Sequence, residues 1–244
     1  MKALARLFIL FIVIAVALSA AEPSIPIFGN SSKMGITLST PMQIAIFMTL
    51  LALLPAAIMS ITPFLRITIV LHFLRQALGT QSTPSNQVTI VLALFLSMLV
   101  MQPVVMDIYH KGWEPVENGQ MSMKQGMDEG SKPLKAFLSR FAREKDVKTF
   151  IEIAKAPRPR SASDLDLNVL IPAYILSELK AGFQIGAVLF LPFLVIDLVV
   201  ASVTLSIGMV QLPPVMISAP FKILLFVLAD GWTLVVQSLV QSFH

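Results

Sequence analysis

The sequence predicts an all-α integral membrane protein, with about four long apolar helices arranged as hairpins and a small helical periplasmic segment between the second and third. Three observations carry this. First, the 244 residues are 56% hydrophobic and only 13% charged, where a soluble domain carries about 25% charged residues. A water-soluble fold cannot hide that much apolar surface, and lipid is the solvent that accepts it. Second, the apolar residues come in uninterrupted runs of membrane length. Third, the charges gather in one stretch, 107–168, with eleven Lys and Arg against ten Asp and Glu. The near balance there argues against a basic stripe for nucleic acid, although the whole chain carries a net charge of +4.

Residues 1–21 have the order of a secretory signal peptide. Lys2 and Arg6 form a basic start, an apolar run from Leu7 to Leu18 follows, and Ser19, Ala20 and Ala21 supply the small residues a signal peptidase requires. The other reading is an uncleaved first anchor, but the run is shorter than the roughly 20 residues a span needs. Residues 22–41, rich in Pro, Ser and Gly, read as a periplasmic loop.

Residues 42–106 read as a first membrane helix pair, with spans near 42–61 and 88–106. Pro55 falls inside the first and is expected to bend it. Between the spans, 62–87 holds Arg66, His72 and Arg75 and no acid, yet its dense apolar pattern also fits a helix that ends at Gly79.

Segment 107–168 reads as periplasmic and contains an amphipathic helical pattern (Leu134, Phe137, Leu138, Phe141, then Val147, Phe150 and Ile151). Pro157 and Pro159 mark a linker after it. Residues 169–244 read as a C-terminal membrane hairpin. One helix near 171–207 is expected to break or bend at Pro192, a loop at 208–214 interrupts it, and a last helix runs over about 219–239.

A cleaved signal would place residue 22 outside, and two spans then return 107–168 to the outside. Arg66 and Arg75 fall inside, as the positive-inside rule prefers. The basic residues of 107–168 oppose the rule, but loops of about 60 residues translocate largely regardless of charge.

The chain offers little to an enzyme. Cysteine is absent, which removes disulfides, thiolate metal sites and cysteine nucleophiles together. No Walker loop, dinucleotide fingerprint, zinc-protease motif or nucleophile elbow occurs. His72, His110 and His244 are too scattered to suggest a metal site. No cofactor or metal is expected.

The ionisable residues in the apolar C-terminal part are more telling: Glu178, Lys180, Asp197, Lys222 and Asp230. A charge at mid-bilayer costs roughly 2.5–3.5 kcal/mol on insertion scales, so these groups should face protein or water. Asp197 lies 14 residues before Gln211 and Lys222 lies 11 after it. Folding at Gln211 leaves an offset of about 4.5 Å in helix rise, which a lysine stem can bridge. Such a pair would fix packing or subunit register, or serve as a proton or ion site. Gly182 and Gly186 form a small-xxx-small element for close helix approach. Met209, Val210 and Gln211 sit in the loop 208–214, which reads either as a pore loop or as an ordinary turn.

Several long motifs resemble one family. They are Ser60-Ile61-Thr62-Pro63-Phe64-Leu65-Arg66, the run from Leu74-Arg75 through Gly79, Pro84 and Asn86, and Leu176-Ser177-Glu178-Leu179-Lys180-Ala181-Gly182. Pro192 to Ser202, Pro213 to Lys222 and Phe226 to Trp232 complete the set, in the family's order and over about residues 40–235. The chain is similar here to the FliP family of type III protein-export gates. The resemblance implies a non-enzymatic subunit of a flagellar gate in the bacterial inner membrane. A ring of five copies would assemble with FliQ-like and FliR-like membrane proteins, and unfolded substrates would pass through its centre. An injectisome gate subunit and an independent transporter are the alternatives. Family members carry three consecutive methionines after the glycine matched by Gly208. Here the run is Met209-Val210-Gln211, so only Met209 matches that sealing gasket.

Overall fold

A computed structural model describes residues 40–80, 83–155, 165–209 and 213–243. All regular structure among them is helical. The helices are α1 (Thr40–Ser60), α2 (Phe64–Ala77), α3 (Asn86–Ile108), α4 (Glu114–Glu117), α5 (Met123–Phe141), α6 (Glu144–Ala154), α7 (Leu167–Ser206), α8 (Pro214–Leu228) and α9 (Gly231–Gln241). Residues 1–39, and with them the expected signal peptide and nearly all of the N-terminal loop, lie outside the described residues.

The chain divides into two compact units at Ala52 and Leu53. The described part of the first, Met1–Ala52, is helical from Thr40 and exposes Met42, Ile44, Met48 and Leu50. Its Thr49 hydroxyl donates to the Ala45 carbonyl at 2.8 Å, which keeps the hydroxyl satisfied where no water is at hand.

The second unit, Leu53–His244, is built around α2. Its buried positions Ile67, Val70, Leu71, Leu74 and Ala77 recur every three or four residues and so form one helical stripe. The partner is the first half of α7, which approaches α2 closely because Gly182 and Gly186 have no side chains. A Cβ on Gly182 would stand 3.1 Å from Ile69, and one on Gly186 would stand 2.6 Å from the Phe73 ring. Between apolar helices in lipid, such packing is the main attraction.

α3 runs through a π-helical turn, Tyr109–Trp113, into α4, giving a continuous rod Asn86–Glu117. The span therefore extends well past the expected end at 106. Helix is carried into the charged segment because Gly112 lets α5 press on the rod: a Cβ there would meet the Gly126 carbonyl at 2.8 Å. α5 starts with a capping box, Ser122 Oγ accepting from Gln125 N at 3.4 Å and Gln125 Oε1 from Ser122 N at 3.0 Å. α6 ends where Lys155 turns left-handed.

Two expectations about the C-terminal part are corrected. α7 is one 40-residue helix that continues through Pro172 and Pro192, so of the break or bend expected at Pro192 the break does not occur. The last apolar helix is two helices, α8 and α9, meeting at 67°. Asp230 adopts a left-handed conformation at the corner, and the Phe226 ring lies where any Cβ on Gly231 would stand, 2.3 Å away. Among the described residues, three helices are long and apolar enough to cross a membrane, or four if the bent α8–α9 pair counts as one.

Candidate functional site

α7 carries three charged residues that each meet a partner from a different element. Near its start Glu178 is fully buried and grips Arg66 of α2 in a two-pronged pair: Nε donates to Oε2 at 2.9 Å and Nη2 to Oε1 at 2.5 Å. The remaining guanidinium nitrogen, Nη1, donates to the Ser242 carbonyl at 3.2 Å and to Ser242 Oγ at 3.1 Å. The Phe243 ring covers the guanidinium at 3.9 Å. One arginine thus joins α2, α7 and the end of the chain, with every nitrogen used.

Lys180 pairs with Asp146 of α6. Ser177 Oγ donates to Asp146 Oδ2 at 2.8 Å and accepts from the Arg143 backbone N–H at 2.9 Å, and the Arg143 side chain donates to Gln184 Oε1 at 2.5 Å. This network ties α6 and its N-cap residue Arg143 to α7. Burial pushes the Asp146 carboxyl up, but the hydrogen bonds from Lys180 and Ser177 and the charges of Lys180 and Arg143 outweigh it and hold the group below the ordinary aspartate value.

About 28 Å beyond Glu178 along α7 by helix rise, Asp197 meets Lys222 of α8, with Nζ 2.6 Å from Oδ2. Ser218 donates to the other carboxylate oxygen at 2.5 Å. Lys222 also donates to the Ala77 carbonyl at 3.0 Å, satisfying one of the orphan acceptors at the end of α2. Gly79, left-handed just beyond the end of α2, lies against Ala219 of α8.

α7 ends in a Schellman motif. The Gly208 N–H donates to Leu205 O at 3.0 Å and the Met209 N–H to Thr204 O at 2.9 Å, with Gly208 in the left-handed region at φ 79°. Gly208 thus has a local reason to be glycine: it stops the longest helix. The Met209 side chain then projects from the helix end, 43% exposed. Val210 and Gln211 lie outside the described residues.

The structure therefore brings Asp197 to Lys222. It does not join Glu178 to Lys180, because each turns to a partner on another helix. Arg66, Asp146 and Ser242 were missed as partners. The lone Arg66 in an apolar stripe was a usable signal, since a buried cation demands an anion. Asp146 sits among many similar charges and offered none.

Among the described residues, the fold and these sites define a helical protein with three or four membrane-length helices, held together by ion pairs along its longest helix. The chain belongs to the FliP family, whose model matches residues 47–239. It is 45% identical over 219 residues to the flagellar biosynthetic protein FliP of Bacillus subtilis, covering 90% of this chain and 98% of that one. It is 46% identical over 202 residues to the proteins of the same name from Pectobacterium carotovorum and Caulobacter vibrioides. Those alignments cover 83% of this chain and 78% and 76% of theirs.

Proposed function

We propose that this chain is the core pore-forming subunit of a flagellar type III protein-export gate, conducting unfolded flagellar proteins across the bacterial inner membrane. The observation that carries the reading is the match to flagellar biosynthetic proteins over nine-tenths of the chain. In this reading five copies form a ring with FliQ-like and FliR-like membrane partners, segment 107–168 is periplasmic, and neither catalysis nor a cofactor is involved.

The gate residues are Met209, Val210 and Gln211. A circle of Met209 side chains, unbranched and polarisable, would close by dispersion contacts and yield to a passing chain. Asp197 and Lys222 fix the packing on which ring assembly depends. Asp197→Ala, which strands a buried lysine, is expected to deplete the assembled complex, and exchanging the two charges is expected to restore part of it. Normal assembly of Asp197→Ala with export lost would assign the pair to energy coupling instead.

The function is tested by deleting the gene and measuring flagellar proteins in the medium. Secretion should stop and return with the wild-type chain. Undiminished secretion in the deletion strain contradicts the proposal.

A further inference from the structure

From Thr40 onward and outside the segment 107–168, only seven Lys, Arg, Asp or Glu residues occur. Five of them are used in the three ion pairs that α7 makes with Arg66, Asp146 and Lys222. One cation and one anion are left: Arg75 of α2 and Asp230 at the α8–α9 corner. Among the described residues neither meets an opposite charge. The half-buried Arg75 guanidinium has no partner, and the exposed Asp230 carboxylate accepts one bond, from the Thr233 hydroxyl at 3.0 Å. The neighbours of Asp230 in sequence, Val227, Leu228 and Trp232, are exposed apolar residues. A charge on such apolar ground seeks an opposite charge or water.

α7 gives the heights of both. Arg66, Ile69 and Phe73 meet Glu178, Gly182 and Gly186 in turn, so α2 runs parallel to α7 and Arg75 stands level with about Val188. Lys222 meets Asp197 and Phe226 meets Phe193, so α8 runs antiparallel and Asp230 stands level with about Leu189. Their heights differ by less than about one helical turn. Copies ringed about an axis along the helices sit at one height, so residues level in one chain are the ones that can meet between chains. Two opposite charges at one height, not joined within the chain, fit a head-to-tail contact, where each copy offers a different face to each neighbour.

We propose that Arg75 of one copy pairs with Asp230 of the next, at the junction between copies of this chain. The inference rests on the ring reading above and adds to it which two faces meet. An arginine fork and a carboxylate make a directional contact. Such a contact fixes register and suppresses wrong pairings more than it adds affinity.

The test co-expresses two differently tagged full-length copies, Arg75→Cys and Asp230→Cys, and oxidises them in native membranes. The chain has no cysteine of its own. A disulfide should join one tag to the other, and neither variant alone should form a dimer of itself. A second measurement reads the charges. Arg75→Glu and Asp230→Lys should each lower the ratio of ring to monomer about tenfold, and the two together should recover most of it. Lysine suits the corner, since Lys155 holds the same left-handed φ of 50° as Asp230. Asp230→Asn keeps the corner and removes only the charge, so its ratio should fall between wild type and Asp230→Lys. Rings in normal yield without the mixed disulfide, or single losses that the exchange does not restore, overturn the pair and leave the ring standing. Dimers from a single variant alone indicate a two-fold contact and overturn the head-to-tail arrangement. A wild-type chain that stays monomeric in the membrane overturns the pair and the ring together.

Discussion

The two halves of α7 belong to one continuous helix but differ in what surrounds them. In the first twenty residues eight are buried, among them Leu170, Tyr174, Glu178, Gly182 and Gly186; in the last twenty only Phe193 and Thr204 are. The first half is enclosed by α2, α5 and α6 and carries two ion pairs that close within one chain. The second half meets α8 through Asp197 and Lys222 and through the Phe193 and Phe226 rings, while Val188, Leu191, Val195, Leu198 and Val199 are exposed. The difference teaches that packing within the chain is concentrated in one half of a single helix. The first half is covered within the chain, and the second presents an exposed apolar surface.

The largest effect should come from breaking the first half. Glu178→Ala leaves Arg66 buried and without its carboxylate, and removing one partner of a buried pair costs about 3–5 kcal/mol. The purified variant should unfold at a markedly lower temperature in detergent and become protease-sensitive at α2. A melting temperature equal to wild type would show that the pair does not hold the first half together.

A smaller effect should follow acidification. Asp146 has a lower pKa folded than unfolded, so its contribution to stability is fully present above about pH 4, the ordinary aspartate range. It is lost as pH falls through the depressed folded value. Wild-type protein should lose the docking of α6 in that acid range, seen as faster amide exchange over Glu144–Ala154, and Asp146→Asn should show this exchange already at neutral pH. Identical pH profiles for the two proteins would contradict the assignment.

The smallest effect on the single chain should come from Leu198→Ala in the exposed half, within about 0.5 kcal/mol as for other surface positions. The same variant should lower the yield of assembled complex, measured as the ratio of ring to monomer after solubilisation. A large loss of single-chain stability would erase the contrast between the halves.

How much of this is legible in the sequence depends on how local the cause is. The helical class follows from run length and hydropathy, because lipid leaves the backbone few other options. Counting residues either side of Gln211 suffices to bring Asp197 and Lys222 to one level, since it needs only the rise of a helix. The bond from Arg66 to Glu178 spans 112 positions and follows from no spacing rule. The corner at Asp230 was hidden for another reason: the run around it stays apolar, and only the left-handed backbone and the fit of the Phe226 ring on Gly231 divide it. At α7, Pro192 argued for a break or a bend, and the helix runs on unbroken, as happens where lost backbone bonds are compensated within a membrane bundle.

The central claim is that Met209, exposed in the single chain, faces its own copies in the assembled protein. The chain has no native cysteine, so one introduced thiol reports without background. The decisive measurement is oxidative cross-linking in native membranes of Met209→Cys beside Ile153→Cys, a site on α6 that is also exposed. The account predicts disulfide-linked dimers of the chain from Met209→Cys and none from Ile153→Cys. If Met209→Cys yields no dimer and reacts with a water-soluble maleimide as freely as Ile153→Cys, the turn after α7 does not converge in a ring and the gate lies elsewhere.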